Sequence, residues 1–120
     1  MGKRVLLVDD SVTTAKQLES IIVGLSGFEI VGHAKNGAEA VKMYKSLTPD
    51  LVCMDIVMPL MDGLQATRAI LQLDQNAKVV MISSLGGVGD KVVEALKVGA
   101  KDVIAKPFEP EKIRQTLQSL

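Results

Sequence analysis

Short apolar runs and longer amphipathic stretches alternate along almost the whole chain. Residues 3–9, 28–34, 51–55, 78–83 and 101–105 read as strands, several of them near-continuous in Val, Ile and Leu. Between the first two, Leu18, Ile21, Ile22 and Leu25 recur at helical spacing within residues 11–25. Ser11 suits the N-cap of that helix, and Gly27 breaks it. Asn36-Gly37 opens a second helix that runs through Leu47, with Val41, Tyr44 and Leu47 in one stripe. Thr48-Pro49-Asp50 turns the chain into the third strand. Met58-Pro59 and Asp62-Gly63 then punctuate a loop before a helix over residues 64–73. Gly86, Gly87 and Gly89 read as a mobile loop. A helix bearing Val92, Val93, Leu96 and Val98 follows, and Gly99 ends it. Pro110, at a favoured first-turn position, starts a last helix over residues 110–120.

Five strands alternating with five helices predict an α/β domain whose parallel sheet carries helices on both faces. The near-continuous apolar runs imply strands buried on both sides. Ligands of such sheets lie beyond the C-terminal strand ends, near a topological switch point. The chemically interesting residues fall at that edge. The first run ends in Asp9-Asp10, the third in Asp55, the fourth in Ser83 and the fifth in Lys106-Pro107. Three carboxylates, a hydroxyl and an ammonium would then share one small space. Two unit charges roughly 4 Å apart repel by about 4 kcal/mol at an effective dielectric near 20. A divalent cation together with Lys106 offsets that repulsion most simply, so the pattern predicts a site that binds Mg²⁺ and handles phosphate.

Composition narrows the picture from outside. The 120 residues suffice for one domain with a core, and 48% of them are hydrophobic, which excludes disorder by composition. Fourteen basic and fourteen acidic residues cancel, so no general field favours nucleic acid or an anionic membrane. Aromatics are only 2%, which removes base-stacking platforms. No apolar run is long enough to cross a bilayer, no signal peptide precedes the first strand, and Leu6 spoils a myristoylation motif. A single cysteine, Cys53, fits a reducing, cytoplasmic setting and reads as core. His33 reads as a partly packed side chain. The six methionines look scattered, with Met58 and Met61 as candidates for a contact surface. The glycines after Ser83 lack the Gly-Lys-Ser/Thr of a phosphate-binding loop. One acid at a strand end is ordinarily a solvated turn residue; only the full constellation points to chemistry.

Taken together, Val-Asp9-Asp10-Ser, Met-Asp55-Ile-Val-Met-Pro59-Leu-Met-Asp-Gly63, Ile-Ser83-Ser and Ala-Lys106-Pro107-Phe resemble the receiver domain of two-component response regulators. The single-domain chemotaxis (CheY) type is the nearest likeness, and it covers essentially the entire chain. The resemblance, rather than any pattern in the residues, implies the flavodoxin-like strand order 2-1-3-4-5, for which that protein is a standing example. It implies Asp55 as phosphoacceptor, Asp10 as a direct Mg²⁺ ligand, Asp9 beside it through water, and the backbone carbonyl of Val57 as a further ligand. Lys106 would pair with Asp55 and then with the phosphoryl group. Ser83, favoured over Ser84 by the resemblance alone, would donate a hydrogen bond to it. Lys106-Pro107 resembles the family's cis peptide.

The function so implied is a signalling switch and not a turnover enzyme. A histidine kinase would donate the phosphoryl group, and a face built from the fourth helix, fifth strand and fifth helix would bind the target. A flagellar motor switch and a phosphorelay histidine phosphotransferase both stand as candidate partners. The chain's span, from Met1 to the end of a fifth helix, is that expected of a stand-alone domain over residues 1–120. Two positions depart from the family. Val103 stands where many receivers carry Tyr or Phe, so no ring is present to swing inward. Val57 and Leu85, which flank the attacking-water path, are both apolar, which predicts a long-lived acyl phosphate. Two other functions compete. A Mg²⁺-dependent phosphohydrolase needs a second acid just past its nucleophile, where this chain has Ile56 and Val57. A phosphorylation-independent scaffold would not need the intact acid set.

Overall fold

The structure, a computed structural model, describes residues 2–83 and 90–120. Five strands, β1 (Lys3–Val8), β2 (Phe28–Ala34), β3 (Leu51–Asp55), β4 (Val79–Ser83) and β5 (Asp102–Ala105), pair in parallel in the order β2-β1-β3-β4-β5. They alternate with α1 (Val12–Val23), α2 (Gly37–Leu47), α3 (Gly63–Leu73), α4 (Asp90–Val98) and α5 (Pro110–Gln118). The expected architecture and strand order both form. Ladder bonds run on past these bounds, from Asp9 N–H to the Ala34 carbonyl and from Lys101 N–H to the Val79 carbonyl. Strand ends therefore fall a residue or so from where the pattern placed them. Burial on both faces holds for β3, β4 and the inner part of β1; the edge strands β2 and β5 are only partly covered.

Side chains alternate across the sheet and build two apolar layers. Leu6, Val8, Val52, Met54, Val79 and Met81 pack with α2, α3 and α4, whereas Val5, Leu7, Leu51, Cys53, Val80 and Ile82 pack with α1 and α5. The methionines are not scattered in space. Met43, Met54, Met58, Met61 and Met81 all belong to the first layer. Met58 is buried, which removes it from the contact surface considered from the sequence, and Met61 is half-buried. Their unbranched, polarisable chains suit the irregular space of this layer.

Local signals explain the ends of the helices. The Ser11 hydroxyl accepts the Thr14 N–H at 3.3 Å, and Asn36 caps α2 through the Glu39 N–H at 2.8 Å. Asp62 and Gln65 form a reciprocal capping box, which starts α3 at Gly63, one residue before the predicted start. α1 and α5 each stop two residues short of their predicted ends. Gly99, at φ +117°, closes α4 in the left-handed conformation, as the sequence suggested. Ser84, Leu85, Gly86, Gly87 and Gly89, the last three predicted as a mobile loop, lie outside the described residues. Among the described residues no helix is long and apolar enough to cross a membrane.

Candidate functional site

β1 lies between β2 and β3, so the connections leaving it and returning to its other side diverge and leave a crevice at the C-terminal edge. Register brings the strand tips into line there: Val8 stands beside Met54, Asp55 beside Ile82, and Ser83 beside Ala105. Asp9 and Asp55 are buried, and Asp10 is exposed. One carboxylate oxygen from each of these three acids lies within 4.8 Å of the others. Lys106 reaches in from the end of β5, its ammonium 3.7 Å from Asp9 Oδ2 and 3.8 Å from Asp55 Oδ2. Its backbone N–H donates to the Ser83 carbonyl at 2.9 Å, which ties the lysine to the buried serine. The Lys106-Pro107 peptide is cis.

With all four groups ionised, three negative charges face one positive charge. Asp9 Oδ1 accepts the Ser11 N–H at 2.8 Å, but Asp9 Oδ2 is buried with no hydrogen-bond partner among the described residues. The lysine contacts are longer than hydrogen bonds, so they neutralise without saturating the carboxylates. Burial, and secondly the negative charge of Asp9, push the Asp55 carboxyl up to about 6; Lys106 opposes that rise and Asp10 adds to it. An orphaned oxygen, a surplus of negative charge and purely oxygen donors match what a hard divalent cation such as Mg²⁺ requires. Asp9, Asp10 and Asp55 are the residues that could hold it.

Val57 lies just past β3 with its side chain exposed. Cys53 is fully buried in the α1–α5 layer, and burial raises its thiol to about 12, so it is inert packing. His33 is exposed and stands 3.4 Å from Glu19 on α1, outside the cluster of Asp9, Asp10 and Asp55. Val103 is half-buried against the methionine-rich layer, beside Met81 in the register. It lines a groove of about 570 Å³ with Leu96, Lys112 and Thr116 between α4 and α5. Val93 and Leu96, read only as helical, are half exposed on α4.

Two parts of the site escaped the sequence reading. One is the Ser11 N–H that fixes Asp9; an acid two residues before a serine cap gives little warning of it. The other is Gly63, which reads as turn punctuation in the sequence and packs against the Asp55 backbone.

Comparison with known proteins agrees with this geometry. The family described as the response regulator receiver domain matches residues 5–118. The chemotaxis protein CheY of Thermotoga maritima is 47% identical over 120 residues, covering 100% of this chain and 98% of that protein. CheY of Bacillus subtilis is 43% identical over 117 residues, covering 98% and 96% respectively. Among solved structures, a chain of the CheX-CheY-BeF3-Mg²⁺ complex of Borrelia burgdorferi superposes with a TM-score of 0.91 at 44% identity. That match covers 98% of this chain and 87% of the other.

Proposed function

This chain belongs to the response regulator receiver domain family, and from that premise we propose that it is a phosphorylation-dependent signalling switch acting in the cytoplasm. A histidine kinase donates a phosphoryl group to Asp55 in a Mg²⁺-dependent reaction. The modified protein then changes its hold on a target through the face formed by α4, β5 and α5. It assists its own phosphorylation but is not a turnover enzyme. The chemotaxis relatives favour a role of that kind. The observation that carries the reading is the convergence of three carboxylates within 4.8 Å, with Lys106 poised 3.8 Å from one of them.

In the reaction an Asp55 oxygen forms a bond to phosphorus as the phosphorus–nitrogen bond of the donor imidazole breaks, giving an acyl phosphate and a free histidine. Lys106 holds the carboxylate beforehand and shifts toward the phosphoryl oxygens afterwards. Ser83, buried at the tip of β4, supplies a hydroxyl for one of those oxygens. Asp9, Asp10, Asp55 and the Val57 carbonyl would hold Mg²⁺, which when bound neutralises charge on the transferring group. The Borrelia relative, described as a complex with BeF3 and Mg²⁺, is consistent with such an acid set. A hydrolase reading lacks a proton donor: Ile56 is buried and apolar, and Val57 is apolar too.

Phosphoramidate, a small phosphorus–nitrogen donor, tests the chemistry without the cognate kinase. With Mg²⁺ the protein gains one phosphoryl group by intact mass, and with excess EDTA it gains none. Equal labelling in both would remove the metal from the reaction. The apolar, exposed Val57 also predicts slow hydrolysis, because it cannot orient water in line with the acyl phosphate. Val57→Asn should shorten the phosphoprotein's lifetime by about tenfold, less than the roughly hundredfold or more of a general base, because an amide orients water without taking its proton. Identical decay of the two proteins would show that the side chain does not control water.

A further inference from the structure

Gly63 opens α3 directly against the phosphoacceptor. A Cβ placed on it would stand 2.1 Å from the Asp55 carbonyl oxygen, 3.0 Å from the Asp55 carbonyl carbon and 2.9 Å from Met81 Cε. Its own N–H donates to the neighbouring Ile56 carbonyl at 2.8 Å. Gly63 is not among the positive-φ residues of the chain, so close approach and not backbone conformation demands glycine here. The turn that carries it is stiff. The Gln65 N–H reaches Asp62 Oδ1 at 2.9 Å, and Gln65 Oε1 accepts the Asp62 N–H at 3.1 Å. Behind it, the buried Thr67 hydroxyl donates to Met81 Sδ at 3.3 Å. On the other side, the Ile56 N–H holds the Ile82 carbonyl at 3.2 Å. The acceptor peptide is therefore clamped between the first turn of α3 and strand β4.

We infer that Gly63 is a positioning residue for phosphoryl acceptance: the first turn of α3 abuts the Asp55 carbonyl and sets where the Asp55 carboxylate stands relative to Asp9 and Lys106. This inference rests on the functional reading above. A methyl group at Gly63 fits only if the Asp55 carbonyl retreats by about 1 Å, and a displacement of about 1 Å in a reacting group can cost on the order of a hundredfold in rate. The contact with Met81 is different in kind. A thioether methyl can swing aside or be deleted, whereas a backbone carbonyl tied into the sheet cannot.

That difference supplies the test. The full chain, Gly63→Ala, Gly63→Ala/Met81→Ala and Ile113→Val, a destabilised control in the opposite apolar layer, are each incubated with acetyl phosphate and Mg²⁺ at a temperature where they are folded. Intact mass gives the rate and thermal melting the stability. Gly63→Ala should be phosphorylated about tenfold to a hundredfold more slowly, while Ile113→Val keeps the wild-type rate. Removing Met81 relieves the side-chain contact but should not return the rate, because the Asp55 carbonyl still meets the new methyl. A Gly63→Ala rate within about threefold of wild type overturns the inference, as does a double variant whose rate recovers once Met81 is removed. If neither alanine variant folds, Asp62→Ala carries the test by loosening the turn: about threefold or slower phosphorylation supports the inference, and an unchanged rate overturns it. Wild-type protein that takes no phosphoryl group would overturn the functional reading itself, which separates the two failures.

Discussion

Lys106→Met should slow phosphorylation of Asp55 by acetyl phosphate about 10²–10³-fold, the scale for losing one preorganised group aimed at developing charge. The ammonium stands 3.7 Å from Asp9 and 3.8 Å from Asp55, and most of its side chain is shielded from water. Such a charge acts in a poorly screened setting and needs little reorganisation when phosphorus arrives. Methionine preserves the length and apolar stem of the lysine, so packing beside Pro107 survives while the charge is lost. The time course of mass gain reads the rate directly. A variant that reacts as fast as wild type would show that Lys106 is merely a counterion of the resting protein.

In metal-free buffer, Asp55→Asn should unfold less readily than wild type at neutral and alkaline pH, and the advantage should vanish in acid. The folded protein raises the Asp55 carboxyl from the usual 3.8 to about 6, first by burial, then through Asp9, against the pull of Lys106 and with a smaller push from Asp10. A raised carboxyl means that the fold prefers the protonated form. Its contribution to stability is fully present below about pH 4 and is lost as pH rises through about 6. Moving the carboxyl from 3.8 to about 6 corresponds to roughly 3 kcal/mol at face value. Solvent at the open crevice screens part of this, leaving about 1–2 kcal/mol. Asparagine carries no charge and escapes the loss. Taking the difference between variant and wild type cancels the titrating groups that do not interact with residue 55. Urea unfolding in EDTA between about pH 4 and pH 8 measures it, and a flat difference would contradict the electrostatic picture. Added Mg²⁺ should stabilise wild type more than the variant at the upper end of that range.

The parts of this molecule that could be read in advance are those governed by short-range rules. Val5–Val8 and Leu51–Met54 announce buried strands by composition, and Asp9, Asp55, Ser83 and Lys106 follow such runs immediately. Once parallel pairing is granted, strand tips must share an edge, so the site follows from the pattern of runs. Strand order came from the resemblance, because nothing local in β1 says which neighbour lies on which side. Contacts between distant residues were harder to see. The five methionines gather under one face only because Met54 and Met81 share a sheet face with the sides of α2 and α3 they meet. Gly63 looked like a loop breaker because its partner, the Asp55 carbonyl, lies eight residues earlier and becomes its neighbour only after α3 docks. Helix ends shifted by a residue or two where a cap, such as Asp62 with Gln65, outweighed the apolar periodicity.

The most direct measurement is intact and peptide mass analysis of wild type and Asp55→Asn after incubation with acetyl phosphate and Mg²⁺. Wild type should gain one phosphoryl group, carried on the peptide that contains Asp55, and the variant should gain none. Equal labelling of both proteins, or wild type that stays unmodified while folded and metal-loaded, would contradict the claim that Asp55 is the acceptor.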